Sequence, residues 1–382
     1  MQHTRKIVHQ QVGDFLFCLI GRVASAVLRV MSQTTTAETA TGVITSADYC
    51  RWGPDASVYD LDRSSAVAEN EIVTVLWQEG SFYYIEYNVG TNGRKRMFFP
   101  KDNVTITKGS VPSYTATNST RFVSIGANTR YAPYNEDGSP SSPSAGSLSR
   151  VECVKDTGKR EGNYALVTYD MIGSEGKKKR AWFPHANLMM PPAPSGSVYA
   201  SVCVVTSDLG KTQKDANAAY ICSYLMSLGF TKNAACGVLG NMEQESGINP
   251  GIWEKRDNPS WGYGLVQWTP ATVFLNRAVS DGVLSAATPA AVNALASSDA
   301  KTLMDAELEC LIWCCTARSD WSDPKGNMQH SGYTMTIREF MESTLPASTL
   351  AIIFHDHYER SLDSEVVITQ RGVNAETWYN KL

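Results

Sequence analysis

The chain has 382 residues, of which 43% are hydrophobic and 19% are charged, and its formal net charge is −4. This composition is typical of globular protein, and the length predicts two or three domains rather than one core. The small negative charge excludes nucleic acid as a partner held by bulk electrostatic attraction.

The nine cysteines are scattered along the chain, and no two of them form a CxxC pair. An odd and scattered set predicts neither a disulfide framework nor a zinc knuckle, and it indicates folding in a reducing compartment.

Residues 1–39 are expected to be a disordered or non-native leader. The short apolar run FLFCLI weakly resembles part of a signal peptide, but Arg22 and Arg29 interrupt the apolar residues after it. A misassigned start, with Met31 as the true initiator, is an equally open interpretation. Because the run is too short for a membrane span, we expect no transmembrane anchor.

Two segments of the first half resemble each other, which predicts the repeat of a short all-β unit. They read YYIEYNVGTNGRKRMFFPKDNV (83–104) and YALVTYDMIGSEGKKKRAWFPHANL (164–188). In each, an alternating strand leads into a basic turn with glycine, and a Phe-Pro pair ends the second strand. We expect the basic runs at 93–96 and 177–180 to be solvated hairpin tips.

The second half is predicted to be a mostly α domain. MMPPAPSGS (189–197) has the composition of a linker. Gly229 is expected to end the first helix after it, and Thr231 is expected to cap the second. Apolar residues recur at helical spacing in five segments, 214–230, 231–246, 302–317, 336–343 and 347–360.

The stretch GNMEQESGINPG (240–251) places two glutamates near the end of a predicted helix. On a wheel of 3.6 residues per turn, Glu245 lies at the edge of an apolar stripe that contains Val238 and Met242, whereas Glu243 lies farther away. A carboxyl beside an apolar face loses hydration, which raises its pKa and favours the protonated state of a general acid. Glu245 is therefore the candidate acid, and the alternative is a surface carboxylate near a helix end.

A second motif, GYGLVQWTPAT (262–272), comes shortly after this helix. Its glycines and proline bracket an aromatic and amide-rich segment that is suited to line a groove. Gln267 offers a hydrogen-bonding head and Trp268 a stacking plane for a sugar. Tyr263 is a further candidate for substrate binding.

Together the two motifs strongly resemble the phage tail lysozyme family, whose domain cuts peptidoglycan at phage tail tips. They are also similar to motifs of goose-type lysozymes and soluble lytic transglycosylases. The likeness extends from about Val204 to the terminal AETWYNKL. In the family the catalytic acid is the Glu immediately before the Ser, so the resemblance implies that role for Glu245, and it implies no cofactor.

The first half resembles a tandem of bacterial SH3-like domains, which are small β-barrels that bind cell walls. RWGP (51–54), IVTVLWQEGSFYYIEY (72–87) and RYAPYNEDG (130–138) carry this resemblance, which covers about residues 40–190. The resemblance implies wall binding. Under it, the basic turns contact anionic wall polymers, which is a less favoured alternative to their being solvated tips.

Glycoside hydrolysis usually pairs the acid with a second carboxylate. Glu254 and Asp257, in the loop GIWEKRDNPSWGYG (251–264), are the catalytic candidates. Asp257 precedes Asn-Pro, so capping that turn is an equally weighted role for it. If neither carboxylate reaches the sugar, the 6-hydroxyl of the substrate attacks instead, as in lytic transglycosylases.

Near the C-terminus, HYERSLD (357–363) matches the Tyr-Glu-Arg element of the family. Tyr358 is expected to touch the sugar or the catalytic Glu, while Glu359 and Arg360 are expected to form a structural ion pair. The two histidines of HDH (355–357) fall on different helical faces, so no metal site is predicted.

The expected architecture is multidomain α+β, with two small SH3-like β-barrels followed by a mostly α lysozyme-like domain. The predicted boundaries are 40–110 and 111–190 for the SH3-like domains, 191–202 for the linker and 203–382 for the catalytic domain.

The expected function is hydrolysis of the β-1,4 bond between N-acetylmuramic acid and N-acetylglucosamine of bacterial cell walls. The alternatives are a lytic transglycosylase on the same fold and a wall-binding structural tail protein with an inactive lysozyme domain. Expected partners are peptidoglycan strands, wall peptides or polymers, and phage tail proteins. The protein is expected to be made in the host cytoplasm and to act on the wall from the virion or after release.

Overall fold

The computed structural model describes residues 39–90, 93–133, 143–172, 174, 176–326 and 329–382. The predicted leader therefore lies outside the described residues, except for its last position. Two antiparallel sheets precede a helical domain, and this confirms the predicted fold class. No helix in the described part of the chain has both the length and the apolar character that a membrane crossing requires.

The first β module is one seven-stranded antiparallel sheet with the order β3-β2-β6-β5-β4-β1-β7. In β4 every second side chain is buried, as in Val73, Val75 and Trp77, which is the period expected of a strand with one face on a core. Its strands are β1 (Ala40–Ile44), β2 (Asp48–Arg51), β3 (Leu61–Val67), β4 (Ile72–Glu79), β5 (Phe82–Val89), β6 (Gly93–Pro100) and β7 (Val104–Lys108).

The second β module repeats this order strand for strand, as β10-β9-β13-β12-β11-β8-β14. Its strands are β8 (Ser119–Val123), β9 (Ala127–Arg130), β10 (Ser144–Leu148), β11 (Cys153–Glu161), β12 (Tyr164–Asp170), β13 (Lys178–Pro184) and β14 (Leu188–Met189). Pro100 and Pro184 end the corresponding strands β6 and β13, and a single 3-10 turn comes after each of them. The structure thus contains the internal repeat that the two hairpin motifs predict.

Within the described residues neither sheet closes into a barrel, which differs from the predicted SH3-like barrels. The edge strands β3 and β7 of the first module do not pair with each other. Instead, the second module covers β3, since the Tyr131 hydroxyl donates to Asp62 at 2.7 Å. An edge strand that is covered in this way needs no closing partner within its own sheet.

The two modules pack on each other through reciprocal ion pairs. Arg96 of the first module contacts Glu161 of the second at 2.5 Å, and Arg180 of the second contacts Glu79 of the first at 2.6 Å. Between these pairs, the Trp182 indole donates to the Tyr84 hydroxyl at 2.9 Å. The contacts join equivalent positions of the repeat, so the pair of modules has an approximate twofold relation.

These contacts correct the interpretation of the basic runs. Lys95, Arg96 and Arg180 are each less than a tenth exposed, although the sequence predicts solvated hairpin tips at these runs. Arg96 and Arg180 lie on the strand after the turn and point toward the partner module, whereas Lys95 points to the opposite face and donates to Ser65 of its own module at 2.7 Å. The charges of these side chains are therefore engaged in contacts within the protein rather than exposed to solvent.

The helical domain contains eight helices in its described part. These are α1 (Lys211–Ser227), α2 (Lys232–Ser246), α3 (Thr272–Ser280), α4 (Pro289–Ser298), α5 (Ala300–Cys315), α6 (Ile337–Glu342), α7 (Ala347–Phe354) and α8 (Glu365–Lys381). A π-helical turn, His355–Glu359, continues α7 without a break.

Helix α2 is the centre of this domain and packs against α1, α7 and α8. The Thr231 hydroxyl accepts the N–H of Ala234 at 3.1 Å, which confirms the predicted N-cap. Gly247, in the left-handed conformation with φ of 59°, ends the helix directly after Ser246. Gly240 faces α8 so closely that a Cβ there would lie 2.4 Å from the carbonyl oxygen of Arg371.

The second β module and the helical domain share a core and a buried ion-pair network. Val151 and Cys153 belong to the same apolar cluster as the helices. Arg277 on α3 contacts Asp170 at 2.6 Å and Asp281 at 2.7 Å. Burial by itself lowers the pKa of the Arg277 guanidinium. The negative charges of Asp281 and Asp170 outweigh this effect and keep the pKa above the ordinary value.

The end of the predicted linker is docked onto the helical domain. The Tyr199 N–H donates to Asn217 at 2.8 Å, and the Ser201 N–H donates to Asn249 at 2.9 Å. The side chains of Val198 and Val202 pack against the helical core. The predicted domain boundaries remain predictions, but these contacts hold residues 198–202 against the helices.

Candidate active site

The two glutamates of GNMEQES face different surroundings. Glu245 lies in the last turn of α2 and lines the largest of the described cavities, a cleft of about 640 Å³. Glu243 lines a different cavity and pairs with Lys214 at 3.1 Å. Side chains two apart on a helix point in different directions, so only one of the two reaches the cleft.

Glu245 is held by a buried arginine of the last helix. The Arg371 guanidinium donates to Glu245 at 2.5 Å, to Asp363 at 2.6 Å and to Asn241 at 3.1 Å. Burial by itself lowers the pKa of Arg371, but the neighbouring charges of Glu245 and Glu359 reverse this and raise it. The guanidinium therefore stays charged and orients the Glu245 carboxylate toward the cleft.

Glu359 is a second buried carboxyl on the same cleft. It ends the π-helical turn, and its Oε1 has no hydrogen-bond partner. Burial, followed by the negative charge of Glu245, raises the pKa of Glu359 well above its ordinary value. Glu359 therefore keeps its proton to higher pH than an ordinary glutamate, next to the candidate acid.

The expected ion pair between Glu359 and Arg360 does not form. Arg360 adopts the left-handed conformation with φ of 52°, and its guanidinium donates to Ser322 at 2.8 Å. The reversal of the chain at this residue sends the two side chains in different directions. Glu359 turns inward to the cleft as a result.

One wall of the cleft is built from the GYGLVQW motif. The Trp268 indole donates to the Tyr358 hydroxyl at 3.0 Å and stacks on Phe274 with ring centroids 5.4 Å apart. Gln267, in the left-handed conformation with φ of 48°, donates to the Gly264 carbonyl at 2.9 Å. Gln267 and Trp268 thereby line the same cleft as Glu245.

A buried glutamate fixes the conformation of this wall. Glu307 on α5 accepts the N–H of Leu265 at 2.7 Å. Gly264 has a φ of 78°, and a Cβ there would lie 2.6 Å from the Glu307 carboxylate. Burial raises the pKa of Glu307 well above its usual value. The glycine thus allows the loop to approach a side chain that is fully enclosed in the core.

The structure brings five of the sequence-predicted site residues to one cleft and places two elsewhere. Glu254 lines the cleft and accepts the Gly262 N–H at 3.0 Å. Asp257 lies on the outer side of the loop, where it accepts from Asn293 at 2.6 Å. Tyr263 is fully buried and packs between Trp253 and Phe274. The five residues at the cleft are Glu245, Glu254, Gln267, Trp268 and Tyr358.

Sequence reasoning missed Arg371, which holds Glu245, and two residues that line the cleft. Arg371 belongs to the buried face of α8, together with Ile368, Gly372 and Ala375. A charge on an otherwise apolar helical stripe is the signal that indicates it. Arg318 and Asp320, which line the cleft, lie in an irregular segment after α5 and carry no such pattern.

The cleft continues toward the second β module. A neighbouring cavity of about 360 Å³ shares Val273 and Arg318 with it and reaches Asp170 and Lys178 of β12 and β13. Trp313, whose ring packs 4.8 Å from the Arg277 guanidinium, lies at the bottom of this extension. The helical domain and the second module thus border one continuous groove.

A helical domain with a glutamate at the end of its central helix and a deep polar cleft is typical of lysozyme-like proteins. The model of the phage tail lysozyme family matches residues 216–382, a range that contains every residue lining the cleft. This match confirms the predicted family resemblance for the C-terminal half.

A curated relative is morphogenesis protein 1 of Bacillus phage B103. It is 39% identical to this chain over 176 residues, which are 46% of this chain and 41% of the relative. The chain therefore spans about two fifths of the length of that protein. The shared part supports a lysozyme-like domain in a phage tail context.

Proposed function

We propose that the protein is a peptidoglycan hydrolase that cleaves the β-1,4 bond between N-acetylmuramic acid and N-acetylglucosamine. The observation that carries the proposal is the arrangement around Glu245, in which Arg371 orients the carboxylate and Glu359, a carboxyl with a raised pKa, lines the same cleft. A glycosidase needs a carboxyl that delivers a proton to the glycosidic oxygen. No cofactor is required for this chemistry.

In the proposed mechanism, Glu359 keeps its proton to higher pH than an ordinary glutamate, because its pKa is raised by burial, and it passes this proton to the Glu245 carboxylate when substrate binds. A sugar bound in the cleft expels water from the Glu245–Arg371 contact. Glu245 delivers the proton to the glycosidic oxygen, and Arg371 stabilises the carboxylate that results.

Glu254 is the proposed second carboxylate. It lines the cleft, and its hydrogen bond from the Gly262 N–H fixes its orientation. Asp257, with its contacts to Asn293 and Arg256 outside the cleft, fits the role of holding the loop. Gln267, Trp268 and Tyr358 are proposed to bind the sugar. Tyr263 is proposed to support this wall from the core.

The substitution Glu245→Gln tests the proposal, because it keeps the shape of the side chain and removes its proton transfer. We expect purified peptidoglycan to be cleared at least ~100-fold more slowly than by the wild type. Glu243→Gln, two residues away and outside the cleft, is the matched control and is expected to keep the activity. Equal clearing by the wild type and Glu245→Gln would refute the enzymatic role.

Mass spectrometry of the released fragments separates the two chemistries open to this fold. Reducing N-acetylmuramic acid ends indicate hydrolysis, and 1,6-anhydro ends indicate a lytic transglycosylase, in which Glu254 has no catalytic part.

A structural role in the phage tail is the second candidate. It is favoured by the name of the relative, morphogenesis protein 1. Under this proposal the chain is a virion component that contacts other tail proteins, and its lysozyme domain contributes no cleavage. The Glu245→Gln comparison distinguishes the two, since only the enzymatic proposal predicts a difference in clearing.

A further inference from the structure

A cluster of histidine and aspartate side chains lies behind the cleft and is not used by the proposed mechanism. His355 and Asp356 open the π-helical turn, and His330 comes from the segment between α5 and α6. One ligand atom from each of these three residues lies within 4.8 Å of the other two. His355 and Asp356 are fully buried, and the His330 side chain is 15% exposed.

Each of the three residues is held by a contact to its outward-facing atom. His355 Nε2 contacts Ser361 Oγ at 3.0 Å, and His330 Nδ1 contacts Glu365 Oε1 at 3.1 Å. Asp356 Oδ2 accepts the backbone N–H groups of His330 at 3.0 Å and Ser331 at 2.7 Å. Metal ligands usually have this kind of outer support, which fixes the imidazole tautomer and the direction of the carboxylate.

The atoms that remain face the centre of the cluster. His355 Nδ1 and Asp356 Oδ1 lie 3.4 Å apart. Two donors on one tetrahedral zinc, with bonds of about 2.0 Å, are separated by roughly 3.3 Å. A ring nitrogen of His330, within 4.8 Å of the other two ligand atoms, completes a set of two imidazoles and one carboxylate.

His357, the other histidine of the HDH motif, does not belong to the cluster and makes structural contacts instead. His357 Nδ1 contacts the Ile353 carbonyl at 3.0 Å, its Nε2 accepts the Met335 N–H at 3.2 Å, and its ring stacks on Trp321. The two histidines of HDH therefore diverge, as their helical positions predict. The partner of His355 comes from a distant segment, which the motif by itself does not reveal.

We propose that His330, His355 and Asp356 bind a divalent transition metal, with Zn²⁺ as the best match to two imidazoles and one carboxylate. A water molecule is the fourth ligand of the metal, on the partly exposed side of His330. The metal joins the segment around 330 to the turn that carries Tyr358 and Glu359.

The same metal supports the neighbours of the candidate acid. Asp363 Oδ2 lies 3.6 Å from His355 Nε2 and 2.6 Å from the Arg371 guanidinium, which contacts Glu245. Binding at the cluster therefore stabilises the fold at the floor of the cleft. This role is independent of whether the domain cleaves peptidoglycan.

The test uses the full-length chain, stripped with EDTA, then supplied with ZnCl₂ and freed of excess metal by gel filtration. We expect one zinc per chain by elemental analysis of this sample, and a rise in Tm of about 5 °C in a second sample that keeps ZnCl₂ in large excess over its Kd. His330→Ala and Asp356→Asn are expected to lose both effects. His185→Ala, which removes an exposed histidine of the second module, is the matched control and keeps them.

Far-UV circular dichroism of the metal-free proteins shows whether each variant is folded. If His330→Ala does not fold, His330→Gln replaces it, since this side chain retains a hydrogen-bonding end for Glu365. A wild type without stoichiometric zinc overturns the proposal, and so does a His330 variant that keeps both the zinc and the Tm rise. In either of those cases the cluster is only a hydrogen-bonded network.

Discussion

At the residue scale, burial acts on two charged side chains of the cleft with opposite results. Arg371 is surrounded by Glu245, Asp363 and Glu359, so its charge is compensated and retained. Glu359 has no hydrogen-bond donor at Oε1 and faces a like charge, so its neutral form is favoured. Burial among opposite charges thus preserves the charge of Arg371, whereas burial beside a like charge raises the pKa of Glu359.

The raised pKa of Glu359 predicts how stability depends on pH. In the unfolded chain this carboxyl loses its proton near the ordinary value of 4.5, whereas the folded protein keeps it to higher pH. The folded state is therefore favoured below that value, and the advantage decreases as pH rises through the folded pKa. Within this window the loss is about 1.4 kcal/mol per pH unit.

The substitution Glu359→Gln removes this dependence, because an amide does not titrate. We expect the Tm of the wild type to decrease more steeply than that of Glu359→Gln above pH 4.5 when both are followed by differential scanning calorimetry. Glu69→Gln, at an exposed loop position, is expected to keep the wild-type slope. Parallel curves for the wild type and Glu359→Gln would contradict the buried, protonated state.

At the scale of elements, the cleft depends on the close contact of α2 with α8. Gly240 allows this contact, since a Cβ there would meet the Arg371 carbonyl oxygen at 2.4 Å and the Ala375 N at 2.9 Å. Both are backbone atoms, so the two helices must separate to relieve the overlap. Arg371 would then move away from Glu245.

We therefore expect Gly240→Ala to destabilise the protein by about 1–3 kcal/mol, although alanine is the better helix former by about 1 kcal/mol. The rate of wall clearing is expected to fall as well. Gly372→Ala, on α8 beside Arg371, is the matched control, because its Cβ would meet no atom closer than 3.3 Å. Urea denaturation measures both variants, and equal midpoints for them would show that the helices tolerate the added methyl group.

At the scale of the whole molecule, the β modules and the helical domain form one packed unit in the described residues. The modules exchange ion pairs with each other, and the second module shares a core and the buried Arg277–Asp170 pair with the helices. If the modules bind the wall as proposed, they orient the cleft relative to it, because breaking that buried pair costs about 3–5 kcal/mol.

This proposed role predicts binding to the wall that does not depend on the cleft. We expect Glu245→Gln to sediment with purified sacculi even when a saturating soluble chitooligosaccharide fills the cleft. The same variant with sacculi alone gives the reference, and loss of all binding on addition of the oligosaccharide would assign wall contact to the cleft only.

Local pattern explains which parts of the fold and site were predictable. The alternation of β4 and the paired Phe-Pro motifs predicted the repeated β unit, and the helical spacing of Glu243 and Glu245 predicted that they face different surroundings. These predictions depend only on the periods of strands and helices, which are properties of neighbouring residues. The open sheets were not predictable, because closure depends on the residues that cover the edge strand β3.

The sequence by itself thus determined the two β units, the helical domain and the choice of Glu245. Only the tertiary structure decided the partners, which are Arg371 for Glu245, Glu161 for Arg96 and His330 for His355. The physical reason is that periodicity specifies the direction of a side chain relative to its own element. The groups that a side chain meets, and hence its charge and its function, depend on elements that are distant in the chain.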